Sequence, residues 1–547
     1  MECKTADENT NENIDGSELI KAARAGDAAS VRALLASKAD IDARDPNGHT
    51  ALMTAIFTCC VECVRILIDA GADIHATDND GNTALIWAAK LGRSGRRHMR
   101  NNAKAGGNTT IESDDTALTM TVEQEQAACI QLLLDAKAAV DATNNEGDTA
   151  MMWAAVQGQA DNVKLLLDSK ADVDAQDNNG NSALGLAASK GHMSCLQVLI
   201  DAKADVDAVD KYGDTAVMLA ADNGHTACLQ LLLDAKSGVD AKDKEGNIAL
   251  MLAAGNGDTS CLQLLLDAKA DINIRNNSGN TATMIATNRG HHGCLQKLLE
   301  AKANLGLKNP FGDSALTFAA SEGHTACLRL LLKAKADVNI ATADKDTALM
   351  FTAEYGHTDC LQLLLEAKAD VNKKNKRGDT ALTLAASHGE STCVQILVDA
   401  TANLDIKVKC GYTALMLARE QGFHDIVNML VRSKLPKVTT PNMRAPPLSL
   451  PISSSFNTPT RTIRELVNST ASLECVDQDS NTLLLFATKH SNLADVSLLL
   501  SNKANINARN NHECNALMLA AMHANARNGP IIDRIIGAKA NVDKKNK

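Results

Sequence analysis

The stretch "DKYGDTAVMLAADNGHTACLQLLLDAKSGVDAK", Asp210–Lys242, holds the reading of the whole chain. "DKYGD" is a turn, with Gly213 supplying the permissive backbone three residues after Asp210. Thr215 is placed to cap a short helix, "AVMLAADNG", which Gly224 ends. A second helix follows, "TACLQLLLDAK", in which Cys228, Leu231, Leu232 and Ala235 fall at i, i+3, i+4 and i+7. Leu229 and Leu233 form a second apolar stripe beside the first. A helix apolar on two sides must be sandwiched between neighbours. The tail "SGVDAK" leads extended into the next turn, as a hairpin would.

The pattern recurs. The capping position falls at Thr50, Thr83, Thr116, Thr149, Ser182, Thr215, Ile248, Thr281, Ser314, Thr347, Thr380 and Thr413, in steps of 33 residues. One such unit cannot bury its own faces, but stacked copies can. The expected fold class is therefore an all-α repeat solenoid of helix–turn–helix units joined by hairpin loops.

Composition narrows the function. The chain has 547 residues, is 45% hydrophobic and only 2% aromatic, and carries a formal net charge of −11. Leu, Ala, Val and Met must fill the core. The acidic balance argues against nucleic acid or anionic membrane as a partner. No apolar run approaches the ~18 residues of a membrane span, so no membrane insertion is expected. Residues 1–14 read as a disordered acidic tail and 544–547 as a basic one. These features point to the cytoplasm, with the nucleus left open by short basic runs such as Lys373–Arg377.

The unit "G-D-T-A-V-M-L-A-A-x-x-G-H-x-x-C-L-x-L-L-L" resembles the ankyrin repeat, and the resemblance extends over almost the whole chain. Three departures recur. Ala replaces the family's Pro, as at Ala51, Ala216 and Ala348. Met replaces its His, as at Met53, Met218 and Met350. Lys replaces the Gly after the second helix, as at Lys203, Lys236 and Lys269, while Gly71 keeps it. A Lys in a left-handed conformation costs about 1 kcal/mol relative to Gly. The fold should survive these changes, but the hydrogen bonds of the family's His need a substitute.

Two stretches break the motif without breaking the count. Thr83 to Thr149 is two periods, so 78–110 reads as a degenerate repeat that has lost its second helix, and 111–143 as the next unit. In that register Arg97, Met99, Arg100 and Asn101 hold positions that are Leu elsewhere, which would make this layer the weakest. Residues 441–476 are Pro-rich at their start and read either as a further degenerate repeat or as a linker. The register favours one array: a capping repeat at 15–44, twelve repeats over 45–440, the segment 441–476, and two C-terminal repeats at 477–543.

Of 15 cysteines, nine share one slot: Cys63, Cys129, Cys195, Cys228, Cys261, Cys294, Cys327, Cys360 and Cys393. Neighbouring packed helices lie ~8–10 Å apart, beyond the ~7 Å reach of a disulfide. The ladder is therefore expected to be buried free thiol. Cys59, Cys60 and Cys63 form the one close cluster, and they lack a fourth ligand for zinc. The "GH" histidines, His192, His225, His291, His324 and His357, repeat as structural residues do. Acidic pairs such as Asp205/Asp207 lack the loop that calcium requires. No phosphate loop, nucleophile elbow or kinase set appears, so no enzyme activity, cofactor or metal is expected.

What remains is a protein-binding scaffold or adaptor, monomeric, with one or more proteins as partners. The resemblance places the partner on the hairpin tips and the concave face of the first helices. The matching residues are Lys211, Tyr212, Asp214, Asp222 and Asn223; Phe311, Asp313, Ser321 and Glu322; Asp346, Glu354 and Tyr355; and Lys376, Arg377 and Asp379. Trp87, Trp153, Phe318 and Phe351 share a slot expected to pack into the core. Arg93, Arg96, Arg97, Arg100 and Lys104 form the densest basic cluster, read either as a loop or as an anion-recognising patch. The alternative function is a targeting subunit that brings a separate enzyme, a ubiquitin ligase or phosphatase, to a client.

Overall fold

A computed structural model describes residues 16–91, 115–434, 481–489, 492–522 and 529–538. It divides into two compact units, 1–435 and 436–547. In both, the described residues form helices arranged in antiparallel pairs, each with an inner helix beside the hairpins and an outer helix behind it.

The type unit shows why. Thr215 is extended (φ −88°, ψ 164°), and its hydroxyl accepts the Met218 N–H at 3.4 Å, which starts the inner helix Ala216–Asp222. That helix buries Ala216, Val217, Met218, Ala220 and Ala221. The paired alanines let adjacent inner helices approach closely. Gly224 (φ 71°) turns the chain into the outer helix Thr226–Asp234, which buries Cys228, Leu229 and Leu232. Leu231 and Leu233 are half-buried, so the second stripe is thinner than the sequence suggests. Burying each leucine fully contributes roughly 2 kcal/mol, mostly against the neighbouring layers.

Specific bonds tie one layer to the next. The His225 Nε2 lies 3.1 Å from the Ser189 carbonyl, 36 residues back. A carbonyl only accepts, so Nε2 carries the proton. His192, His291, His324 and His357 make the same bond at 2.9–3.0 Å, which explains their repetition. The ring packs over the glycine of the preceding turn. A Cβ on Gly191 would stand 2.6 Å from the His225 ring, and Gly191 also has φ 75°.

The hairpins are linked in the same way. The Asp210 carboxylate accepts the N–H groups of Tyr212 at 2.7 Å and Asp214 at 2.9 Å, which closes the turn. Lys211 N–H then donates to the Asn179 carbonyl of the preceding turn at 2.7 Å. The acidic pairs also serve the framework, since Asp174 accepts the Asp205 N–H at 2.7 Å and Asp207 accepts the Gly238 N–H at 2.7 Å.

The departures from the ankyrin pattern are accommodated locally. Met152 and Met350 use their sulfurs to accept the N–H groups of Thr149 and Thr347, each at 3.5 Å. Thr317 and Thr383 do the same with a hydroxyl, each at 2.8 Å. Lys203, Lys236 and Lys269 adopt φ of 65–68°, the left-handed conformation expected of the glycine they replace.

The structure differs from the sequence reading at 78–143. Inner helix Ala84–Lys90 packs directly against inner helix Ala150–Gln157. The Asn145 N–H donates to the Asp80 carbonyl at 3.0 Å, and the Asn145 amide to the Asn79 carbonyl at 3.2 Å, 66 residues back. Two periods of sequence therefore make one layer. Its outer helix is the second half of a 21-residue helix, Asp115–Asp135, and Thr116 lies inside that helix instead of capping a new one. The helix runs on because "TVEQEQ" has Glu125 and Gln126 where other units have the Gly-His turn. Cys129, Ile130 and Leu133 are buried and hold the positions of Cys228, Leu229 and Leu232, so this layer is not short of apolar contact. Among the described residues between Gly16 and Lys434 this gives twelve helix pairs, where the sequence reading counted thirteen. Residues 92–114, including the basic cluster Arg93–Lys104, lie outside the described residues, as do 1–14, the Pro-rich segment and the C-terminal 544–547.

The second unit, taken by itself, shows the same construction. Inner helices Leu483–Lys489 and Ala516–Met522 pair with outer helices Leu493–Ser501 and Gly529–Gly537. The Asn510 amide donates to Asn481 Oδ1 at 2.8 Å, and Lys503 has φ 62°.

Candidate functional site

The free edge of the first unit is built from the hairpin tips and the ends of the inner helices. The turn chemistry that fixes the tips also aims their side chains outward. Because the Asp210 carboxylate is occupied by backbone N–H groups, Lys211 and Tyr212 are left to solvent. Lys211 donates to Asn179 Oδ1 at 2.7 Å and lies 4.9 Å from the centre of the Tyr212 ring. Tyr212 is 55% exposed, Phe311 73% and Tyr355 54%. Lys376 pairs with Asp344 at 3.3 Å, both exposed, and the exposed Arg377 pairs with the half-buried Asp379 at 3.1 Å. Asp222, Asn223 and Glu322 are also exposed, at the inner-helix ends.

The other residues singled out in the sequence are half-buried and contribute to the framework. Asp346 accepts the Asn375 amide of the next layer at 2.7 Å. The Asp313 N–H donates to Asn309 Oδ1 at 2.8 Å, the Asp379 N–H to Asn375 Oδ1 at 2.8 Å, and the Ser321 hydroxyl to the Phe318 carbonyl at 3.1 Å. Glu354 lies 3.7 Å from His388 Nε2.

Asp214 is the exception in this ladder. Asn375 supplies a donor to Asp346, but the residue facing Asp214 from the next layer is Asp243. Burial, and then the charges of Asp210, Asp243, Asp222 and Glu245, push the Asp214 carboxyl up to about 6. A positive group placed there would relieve that repulsion.

The aromatic slot assigned to the core lies at its edge, packed against it but not enclosed. Trp87, Trp153, Phe318 and Phe351 are all half-buried, while the positions on either side of them are fully buried. They line the inner-helix face. Phe351 stacks parallel to Tyr355 at 6.5 Å. Lys90 sits between the Trp87 and Trp153 rings, 5.0 and 4.4 Å from their centres. Trp87 also packs against Phe57 and His49, and its indole N–H donates to Asp78 at 2.8 Å. At Asp78 burial disfavours the charge, but bonds from Asn82 and Trp87 outweigh it and hold the carboxyl below its ordinary value. The sequence did carry a signal for this slot. It holds Trp, Leu, Ile or Phe in most units, while the two positions after it are mostly Ala.

Among the described residues, no three His, Cys, Asp or Glu side chains are grouped to hold a metal ion, and no helix is long and apolar enough to cross a membrane.

A family model described as "Ankyrin repeats (3 copies)" matches residues 19–100, 96–177, 169–243, 235–309, 284–375 and 368–442. The chain belongs to the ankyrin-repeat family. Ankyrin repeats are generally protein–protein interaction modules, and no enzymatic domain is found beside them here. No curated protein matches the chain. Among solved structures, the human ASB11 ankyrin repeat domain is 24% identical over 41% of this chain and 99% of its own. Its TM-score is 0.38.

Proposed function

We propose that this ankyrin-repeat protein is a non-enzymatic scaffold that binds a protein partner through its hairpin tips and the concave face of its inner helices. The observation that carries the proposal is the exposure of Tyr212, Phe311 and Tyr355 on that edge. Aromatics are 2% of the chain, yet these three face solvent. Aromatic side chains contribute most at protein interfaces, where they bury large area at low entropic cost. The uncompensated Asp214, beside Asp210, Asp222, Asp243 and Glu245, adds a preference for a basic partner segment. The buried free thiols suit a reducing compartment, and we place the protein in the cytoplasm.

The test is capture of partners by the full chain, by a Tyr212→Ala/Phe311→Ala/Tyr355→Ala variant, and by a control. The control is Gln197→Ala/Gln230→Ala, on exposed outer-helix positions. The expected result is loss of partners with the aromatic variant alone. Equal capture by all three would refute the face assigned here. Recovery of a stoichiometric enzyme would identify the scaffold as a targeting subunit.

A further inference from the structure

The turn at Thr58–Cys63 departs from every other turn of the first unit. Other layers place Gly and then His, Asp, Glu, Gln or Phe at the start of the outer helix, except the layer of helix Asp115–Asp135, which has Glu125 and Gln126 there. Here the two positions are Cys59 and Cys60, and the ladder cysteine Cys63 follows three residues later. Cys59 takes the glycine conformation (φ 53°), and Cys60 becomes the N-cap of the outer helix Val61–Asp69. The Cys60 sulfur accepts the Cys63 N–H at 3.4 Å and lies 3.0 Å from the Cys63 sulfur. Cys60 is partly exposed and Cys63 fully buried.

We propose that Cys60 and Cys63 form a redox-reactive dithiol that hydroperoxides oxidise to an intramolecular disulfide. The two sulfurs have separate roles, set by their surroundings. Cys60 is the accessible sulfur, seated at the helix N-terminus with the Cys63 N–H directed at it. Burial, then the hydrogen bond and charge of Cys60, push the Cys63 thiol up to about 12, so it keeps its proton until it is needed. In the first step the Cys60 thiolate attacks the outer oxygen of the peroxide. The O–O bond breaks, an alkoxide leaves and takes a proton to become the alcohol, and Cys60 becomes a sulfenic acid. In the second step Cys63 gives up its proton and its sulfur attacks that of Cys60, forming the S–S bond and releasing water. Two thiols and one hydroperoxide give one disulfide, one alcohol and one water. The sulfurs need to close from 3.0 Å to about 2.05 Å, and an i, i+3 pair in the first turn of a helix is within reach of that bond.

Among the described residues, the other cysteines lack this arrangement. Cys129 is close enough to Cys59 and Cys60 to feel their charge, but no three groups here are disposed around a metal ion. The ladder cysteines Cys195, Cys228, Cys261 and Cys294 are buried one to a layer, and Cys410 is exposed with no cysteine beside it in the same turn.

The test is limiting tert-butyl hydroperoxide added to the native full-length protein, followed by alkylation in denaturant and peptide mass spectrometry. The expected result is loss of two alkylatable thiols, both in a linked Cys60–Cys63 peptide, with Cys228 and Cys261 still alkylated in full. Dithiothreitol should restore both thiols. Cys63→Ser should leave Cys60 as a sulfenic acid trapped by dimedone, and Cys60→Ser should leave Cys63 reduced. Oxidation confined to Cys410, with Cys60 and Cys63 both recovered as thiols in the wild type, would overturn the proposal without recourse to any variant.

Discussion

Single positions in this chain carry costs that identify them. Thr401 is β-branched and holds φ 62° in the slot where most other units place Lys and the ankyrin pattern places Gly. Replacing it with Gly keeps the backbone bond from Thr401 N–H to the Val398 carbonyl and removes the steric cost. Thr401→Gly should raise stability by about 1 kcal/mol, and Lys236→Gly by less, because the lysine charge at a helix C-terminus already returns a few tenths. Denaturant titration reads the difference, and an unchanged or lowered midpoint for Thr401→Gly would contradict the assignment. Asp214 carries an electrostatic cost. Its folded pKa, about 6, is above the ordinary 3.8, so the folded state holds the proton more tightly. Stability should therefore fall as pH rises from about 4 through about 6 and then level off. Two units correspond to roughly 3 kcal/mol, and solvent screening at a half-exposed site reduces this to about 1 kcal/mol. Asp214→Asn should remove that portion of the pH dependence and stabilise the protein at pH 7.5. Identical pH profiles for variant and wild type would show that Asp214 is not strained.

At the scale of the helix and the layer, the repeating residues were legible and the insertion was not. Thr215, Gly224 and Leu229 specify cap, turn and core through local chemistry, so counting them recovers the fold class and most layers. The same counting failed at 78–143 because the extra residues number one period. Asp80 and Asn145 meet only in three dimensions, and no spacing rule distinguishes a layer from an insertion of equal length. The missing Gly-His turn at Glu125–Gln126 was the available sign. A direct test follows from the register. Deleting residues 92–124 returns Cys129 to the distance from Thr83 that Cys228 keeps from Thr215. Surface insertions cost little when removed or added, so the deletion variant should unfold within about 1 kcal/mol of wild type. Were 78–110 and 111–143 separate layers, the deletion would remove one and lower the denaturation midpoint sharply. The aromatic slot was misread for a related reason. Trp87 and Phe351 look like full core in a window of sequence, but at their place on a seven-residue helix the neighbouring layers cover the ring only in part.

At the scale of the whole molecule, each unit's near-identical layers separate what holds the protein together from what it presents. The histidine bonds, the Asp and Asn turn bonds and the Leu–Cys core recur from layer to layer, whereas Tyr212, Phe311, Tyr355 and the acidic group around Asp214 do not. The tip residues could be placed from the sequence because the family pattern fixes the turn. Their division into exposed side chains and framework carboxylates could not, since it depends on what the next layer offers, such as Asn375 to Asp346 or Asp243 to Asp214. The central claim is that partner binding uses this non-repeating edge. Hydrogen exchange of the complex with a captured partner, read peptide by peptide, measures it most directly. The account predicts new protection at the tips 210–214 and 309–313 and at the inner-helix ends 222–223 and 354–355, with outer helices Met193–Asp201 and Thr226–Asp234 unchanged. Protection confined to those outer helices, with the tips exchanging as in the free protein, would contradict it.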